Sequence, residues 1–124
     1  MNGNDFAFDS RLDTAFLDLL YEGDREHAAR VFDQFLKGIH MQIKEVDDNF
    51  ASGNTELFRR KVHMIKPVFS FVGLTWLTGK AEIIEKKCNQ VSMITDMTDL
   101  YKEFRSNIVE YIPIIETELL KLKV

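Results

Sequence analysis

The chain predicts an all-α protein, an up-and-down antiparallel four-helix bundle with an additional short N-terminal helix. Three observations carry this. Apolar residues recur at alternating spacings of three and four. Alternating strand patterns are almost absent, and Gly, Asn, Asp, Ser and Thr fall between the periodic stretches, where helices start and stop. With 124 residues, 45% of them hydrophobic and 29% charged, there is material for one core with a solvated surface, and residues 1–124 read as a single domain.

Asp9 or Ser10 caps a short first helix with Leu12, Phe16, Leu19 and Leu20 on one side, and Gly23 closes it. Phe6 and Phe8, just ahead, are expected to pack on an open end of the bundle. Asp24 caps a long second helix to about Ser52, in which Ala28, Phe32, Phe35, Ile39, Ile43, Val46 and Phe50 form a bundle seam. Gly53 ends that helix, and Asn54 or Thr55 starts a third, which Gly73 stops. Thr75 caps a fourth with Leu77, Ala81, Ile84 and Cys88 as its core positions; the short turn before it requires the third and fourth helices to lie antiparallel. Gly79 inside the fourth helix is expected to allow a close approach to a neighbour. A loop from Asn89 leads to Thr95 or Asp96 and a last helix to about Lys121. Its inward residues are Met97, Leu100 or Tyr101, Phe104, Ile108, Tyr111, Ile115 and Leu119, and Pro113 bends it near its middle. The first helix acts as a lid on the other four.

Several function classes are excluded at this level. A net charge of −4, with basic residues scattered, offers no general attraction to nucleic acid. No apolar run approaches the roughly 20 residues needed to cross a bilayer. Met1 to Ser10 is too polar and acidic for a secretory signal, so a cytoplasmic location is expected. The lone cysteine, Cys88, rules out an internal disulfide and a cysteine-based zinc cluster, and reads as a small core residue. There is no Glu-x-x-His pair, and His27 and His40 lie too far apart on one helix to share a metal, so both are assigned structural or surface roles and no metal or cofactor is expected. Trp76 is assigned to the core or its rim. Asp47, Asp48, Glu82 and Glu85 fall on stretches read as solvated faces with no nucleophile beside them, so no enzyme active site is expected.

One stretch has a chemistry of its own, Phe58 to Gly73. At about 100° per residue, Phe58, Val62, Ile65, Phe69 and Val72 share a core stripe. Arg59, Arg60, His63, Lys66, Pro67 and Ser70 take the opposite side, with apolar Met64 and Phe71 along the border. A histidine in that setting faces water among three cations. An imidazole of reference pKa about 6.5 is mostly neutral near pH 7 and keeps one nitrogen lone pair for attack on phosphorus. The product is dianionic, and Lys66, one turn on, places an ammonium near it. Ser70, two turns on, adds a hydroxyl.

The run from Val62 to Leu77 resembles the phosphoacceptor segment of histidine-containing phosphotransfer (HPt) domains, carriers in multistep two-component phosphorelays. Val62, His63, Lys66, Gly73 and Leu77 stand in the register of the family's pattern, with Ile65 where the family prefers Leu. The resemblance implies that His63 is the phosphoacceptor and that Lys66 supports the phosphohistidine. It implies the same bundle architecture, and as partners response-regulator receiver domains and a hybrid sensor kinase. The receiver would supply the aspartate and the Mg2+. Arg59, Arg60, Met64, Pro67, Ser70 and Phe71 are the expected partner-binding residues. The chain would be a phosphoryl carrier without turnover of its own.

Pro67 departs from the family, which has Gly there. Proline offers no N–H to the His63 carbonyl and its ring crowds it, so a kink at the phosphoacceptor is expected. Val68 and Phe69 replace the small residues that follow in the family, and they underlie an alternative: an HPt-fold adaptor that binds a receiver or other partner without phosphotransfer. The stretch is also similar to the dimerisation helix of sensor kinases. In that motif, however, an acidic residue follows the histidine and the proline lies five places on, whereas here Met64 follows and Pro67 lies four places on.

Overall fold

The computed structural model describes residues 6–124. Residues 1–5, the first half of the stretch read above as unlike a signal peptide, lie outside the described residues. The helical periods become α1 (Thr14–Tyr21), α2 (Arg25–Ala51), α3 (Thr55–Ser70), α4 (Thr75–Cys88) and α5 (Thr98–Leu122), with a 3₁₀ turn at Ile94–Met97 before α5. The described residues contain no strand, and no helix among them is long and apolar enough to cross a membrane.

Local chemistry explains most boundaries. The side chains of Asp24 and Asn54 accept from His27 N and Leu57 N, capping α2 and α3 as their sequences suggest. Past α3 the chain closes with bonds from Gly73 N to the Ser70 carbonyl and from Leu74 N to the Phe69 carbonyl, the Schellman pattern, with Gly73 at φ +80°. A Cβ on Gly73 would lie 2.7 Å from Leu17 Cδ1 and 2.9 Å from Leu12 Cβ, so α1 packs directly on this turn.

Helix order follows from which residues meet. Phe35 faces Phe69 and Phe50 faces Phe58 between α2 and α3. Lys66 meets Glu85, and Ser70 meets Thr78, between α3 and α4. Trp76 packs on Tyr111, and Lys80 bonds Glu103, between α4 and α5. Arg25 reaches the Lys121 carbonyl, and Asp47 holds Arg105, between α2 and α5. In each pair one number rises as the other falls, so the two helices run in opposite directions. Phe32, Phe58, Phe69 and Phe104 are fully buried between them. Truncating any one to Ala would cost about 3–5 kcal/mol.

The core stripes of α2, α3 and α4 match their sequence expectations, apart from Phe50, which is half-buried. Six local expectations need correction. The cap of α1 is Asp13, accepting from Phe16 N, and not Asp9 or Ser10, because residues 9–12 form a turn and the helix starts at Thr14. That turn resets the helical phase: Leu12, Leu17 and Tyr21 are buried while Phe16, Leu19 and Leu20 are exposed. Thr75 is the first residue of α4 rather than its cap, and its hydroxyl donates to Asp13 Oδ2 at 2.7 Å. The α-helical part of α5 starts later than Thr95 or Asp96, after the 3₁₀ turn, and Ile112 rather than Tyr111 is buried because it follows Ile108 by one turn. Gly79 meets no atom within 4 Å of a built Cβ, so it serves no close helix approach.

Two polar clasps were not anticipated. Asp47, read as solvated, accepts hydrogen bonds from Tyr101 and Arg105 and ties α2 to α5. Glu118 is fully buried on α5; Oε1 accepts from Asp9 N at 2.7 Å and Lys121 Nζ lies 2.7 Å from Oε2. This pins the segment ahead of α1 to the end of α5, where Phe8 stacks on Phe32 at 5.9 Å.

Candidate functional site around His63

The core stripe of α3 fixes its rotation, and with Phe58, Val62, Ile65 and Phe69 turned inward His63 must face out. Its side chain is 63% exposed. The ring is not isolated, however. Nδ1 lies 2.5 Å from Oε1 of Glu85 on α4, and the other carboxylate oxygen of Glu85 accepts from Lys66 Nζ at 2.8 Å. The Glu85 side chain is only 13% exposed and that of Lys66 22%. One nearly buried carboxylate therefore holds the histidine and the lysine together.

This corrects the expectation that Glu85 lies on a solvated face without a nucleophile beside it. The misreading has a physical origin. Glu82 and Glu85 are close in sequence, but 85 follows the buried Ala81 and Ile84 and turns toward α3, whereas Glu82 is exposed. Burial acts to raise the Glu85 carboxyl pKa, but the bonds from Lys66 and His63 outweigh it and hold it below its ordinary value. Glu85 is thus an ionised acceptor. In a neutral ring this acceptor selects the tautomer with its proton on Nδ1, and the Nε2 lone pair is then free on an otherwise exposed ring.

The other expected site residues divide. Met64, next to His63 in sequence, and Phe71, at the end of α3, are both exposed. Arg59 and Arg60 do not stand free, because both donate to Glu56, one turn earlier. Ser70 is not available as a loose hydroxyl, since its Oγ is 2.7 Å from Thr78 Oγ1. Thr78 also donates to the Lys66 carbonyl at 3.4 Å, which braces α3 beside Pro67. Pro67 is exposed within the helix and leaves the His63 carbonyl without its usual donor four residues on. Phe69 is fully buried and Val68 half-buried, so Phe69 does not crowd an approach to His63. Thr78 and Glu85 are the residues the sequence reading missed; their spacing on the α3-facing side of α4 was the available signal.

Elsewhere, His27 packs edge-on against Tyr21 at 5.2 Å, His40 is exposed and Cys88 is buried. Trp76 lies at the rim against Tyr111 with Lys80 over its ring. Among the described residues no three His, Cys, Asp or Glu side chains converge as a metal-ligand set.

Comparison with known proteins returned no match, whether to family models, curated proteins or solved structures.

Proposed function

We propose that this chain is a single-domain histidine phosphotransfer protein, an up-and-down antiparallel four-helix bundle with α1 as an added lid, that carries a phosphoryl group on His63 between receiver-domain aspartates. The observation that carries the reading is the shared carboxylate: Glu85 meets the exposed imidazole with one oxygen and the Lys66 ammonium with the other. Opposed order in all four helix pairings supports the bundle.

In the forward step the Nε2 lone pair attacks phosphorus of an aspartyl phosphate. The Nε2–P bond forms as the P–O bond to the aspartate breaks, and the electron pair leaves with that carboxylate. Positive charge arriving on the ring is matched by Glu85 across Nδ1–H. Lys66 supplies a cation to the new phosphoryl group. The partner provides the Mg2+ and the acidic pocket, and Met64, Phe71, Arg60 and Pro67 form the exposed border it meets. The carrier has no turnover of its own and works in the cytoplasm.

The adaptor alternative is weakened by Phe69, which lies in the core and not in a partner's way. Incubation with a phosphorylated receiver is expected to label the protein with acid-labile, base-stable phosphate, and His63→Gln to abolish the label. Receiver binding without labelling of the wild type, or undiminished labelling of His63→Gln, refutes the carrier assignment.

A further inference from the structure

We propose that Arg59 is a second phosphoryl-holding cation of the His63 site: Glu56 retains it while the histidine is bare, and it exchanges that carboxylate for phosphoryl oxygens once His63 is loaded. The inference rests on the carrier reading and deepens it.

Both carboxylate oxygens of Glu85 are already taken, by His63 and by Lys66. Arg59 lies on α3 one turn before His63. Its guanidinium is clamped on Glu56 by two bonds, Nε to Oε2 at 3.0 Å and Nη2 to Oε1 at 2.6 Å. Arg60 also donates to Oε1, at 3.3 Å. One carboxylate therefore serves two guanidinium groups, and it keeps Arg60 if Arg59 leaves. The two arginines are not equivalent, since the Arg59 side chain is 28% exposed against 66% for Arg60. Glu85 and Cys88 of α4 both act electrostatically on Arg59, which is consistent with a guanidinium on the α4 side of α3.

Helix geometry brings the exchange within reach. Side chains tilt toward the helix N-terminus, so the His63 ring leans back over the turn that Arg59 occupies. Glu56, Arg59, Arg60, Lys66 and Glu85 together carry one positive charge, and transfer to Nε2 adds a phosphoryl dianion against one positive charge on the ring, which brings the total to zero and leaves the dianion short of cations. Lys66 is shared with Glu85 and offsets only part of this. A planar guanidinium fork matches phosphoryl oxygens two at a time, which a lysine cannot do. The Glu56–Arg59 pair it would leave is a solvent-facing one, with the Glu56 side chain 52% exposed, and such pairs hold weakly.

The test uses phosphoramidate, a small phosphoryl donor that needs no receiver, on the intact protein, with phosphohistidine half-life read by 31P NMR and helix content checked by circular dichroism. Arg59→Gln is expected to shorten the half-life about tenfold, the low end of the scale for one charge-assisted hydrogen bond. Arg59→Lys should recover part of it. Glu56→Gln should act in the opposite sense and lengthen it, which a merely structural Glu56–Arg59 pair would not do. In the wild type the Arg59 Nε–H resonance should shift on phosphorylation, and it should stay fixed in His63→Gln. A labelled wild type whose half-life is unmoved by Arg59→Gln, or not lengthened by Glu56→Gln, overturns the exchange alone. A wild type that phosphoramidate does not label at His63 overturns the carrier reading and this inference with it.

Discussion

Removing the Glu85 carboxylate tests the site most directly. In Glu85→Ala, His63 Nδ1 loses the acceptor at 2.5 Å that selects its protonated form, and Lys66 loses its partner at 2.8 Å. A hydrogen bond to a charged group contributes about 1.5–3 kcal/mol. The carboxylate is nearly buried but the ring is mostly exposed, so the lower end applies, about 1.5 kcal/mol, or roughly tenfold in the ratio of the two neutral tautomers. Only the Nδ1–H form offers the Nε2 lone pair. Phosphoryl acceptance should therefore slow by up to about tenfold at saturating donor, with the released Lys66 able to restore part of the loss. The assay is a long-range 1H–15N correlation spectrum of the imidazole at a pH where neutral rings dominate, paired with single-turnover transfer from a phosphorylated receiver. Glu85→Gln, whose amide carbonyl can still accept, should fall between. A wild-type ring that is mainly Nε2–H, or a tautomer ratio that does not change in Glu85→Ala, would refute the reasoning.

Further outcomes follow from the same geometry. Lys66→Ala should shorten the phosphohistidine half-life and raise the Glu85 carboxyl pKa, because burial then acts against fewer compensating bonds; unchanged values on both counts would remove Lys66 from the site. Gly73→Ala and Gly53→Ala both force alanine to a φ near +80°, at +80° and +78°, a cost of about 1–2 kcal/mol each. Only at Gly73 does the added Cβ meet Leu17 and Leu12, so Gly73→Ala should lose about 1–3 kcal/mol more in urea unfolding, and equal losses would contradict the packing of α1 on that turn. The carboxyl pKa values of Glu85, Asp47 and Glu56 are all lowered, Glu56 to about 2. Between the folded and ordinary values the unfolded chain binds more protons, so their contribution is complete above the ordinary values of 4.5 and 3.8 and disappears as pH falls through the lowered ones. Asp47→Asn should flatten that acid limb of a stability–pH curve, and an identical slope would discard the clasp with Tyr101 and Arg105.

Much of this molecule was legible one helix at a time. The stripe Ala28 to Val46 on α2, the stripe Phe58 to Phe69 on α3 and the caps Asp24 and Asn54 all depend on residues within a turn or two of one another. A 3.6-residue period decides such relations locally, and it was enough to put His63 outside with Lys66 on the same side of α3. Phase fails across a break: the turn at residues 9–12 shifted the buried face of α1 from Phe16 and Leu20 to Leu17 and Tyr21.

Relations between helices were beyond that logic. Whether Glu85 is a solvated carboxylate or the group that orients His63 depends on the rotation of α4 and its axial offset against α3, set by how Leu77, Ala81 and Ile84 pack into the core. Asp47 became a clasp, and Glu118 a buried anchor for Asp9, for the same reason. Sequence periodicity thus determined which side of its own helix each residue takes, because backbone geometry is local. Tertiary packing alone decided which side chains from different helices share a charge, since that requires the mutual rotation and registry of whole helices.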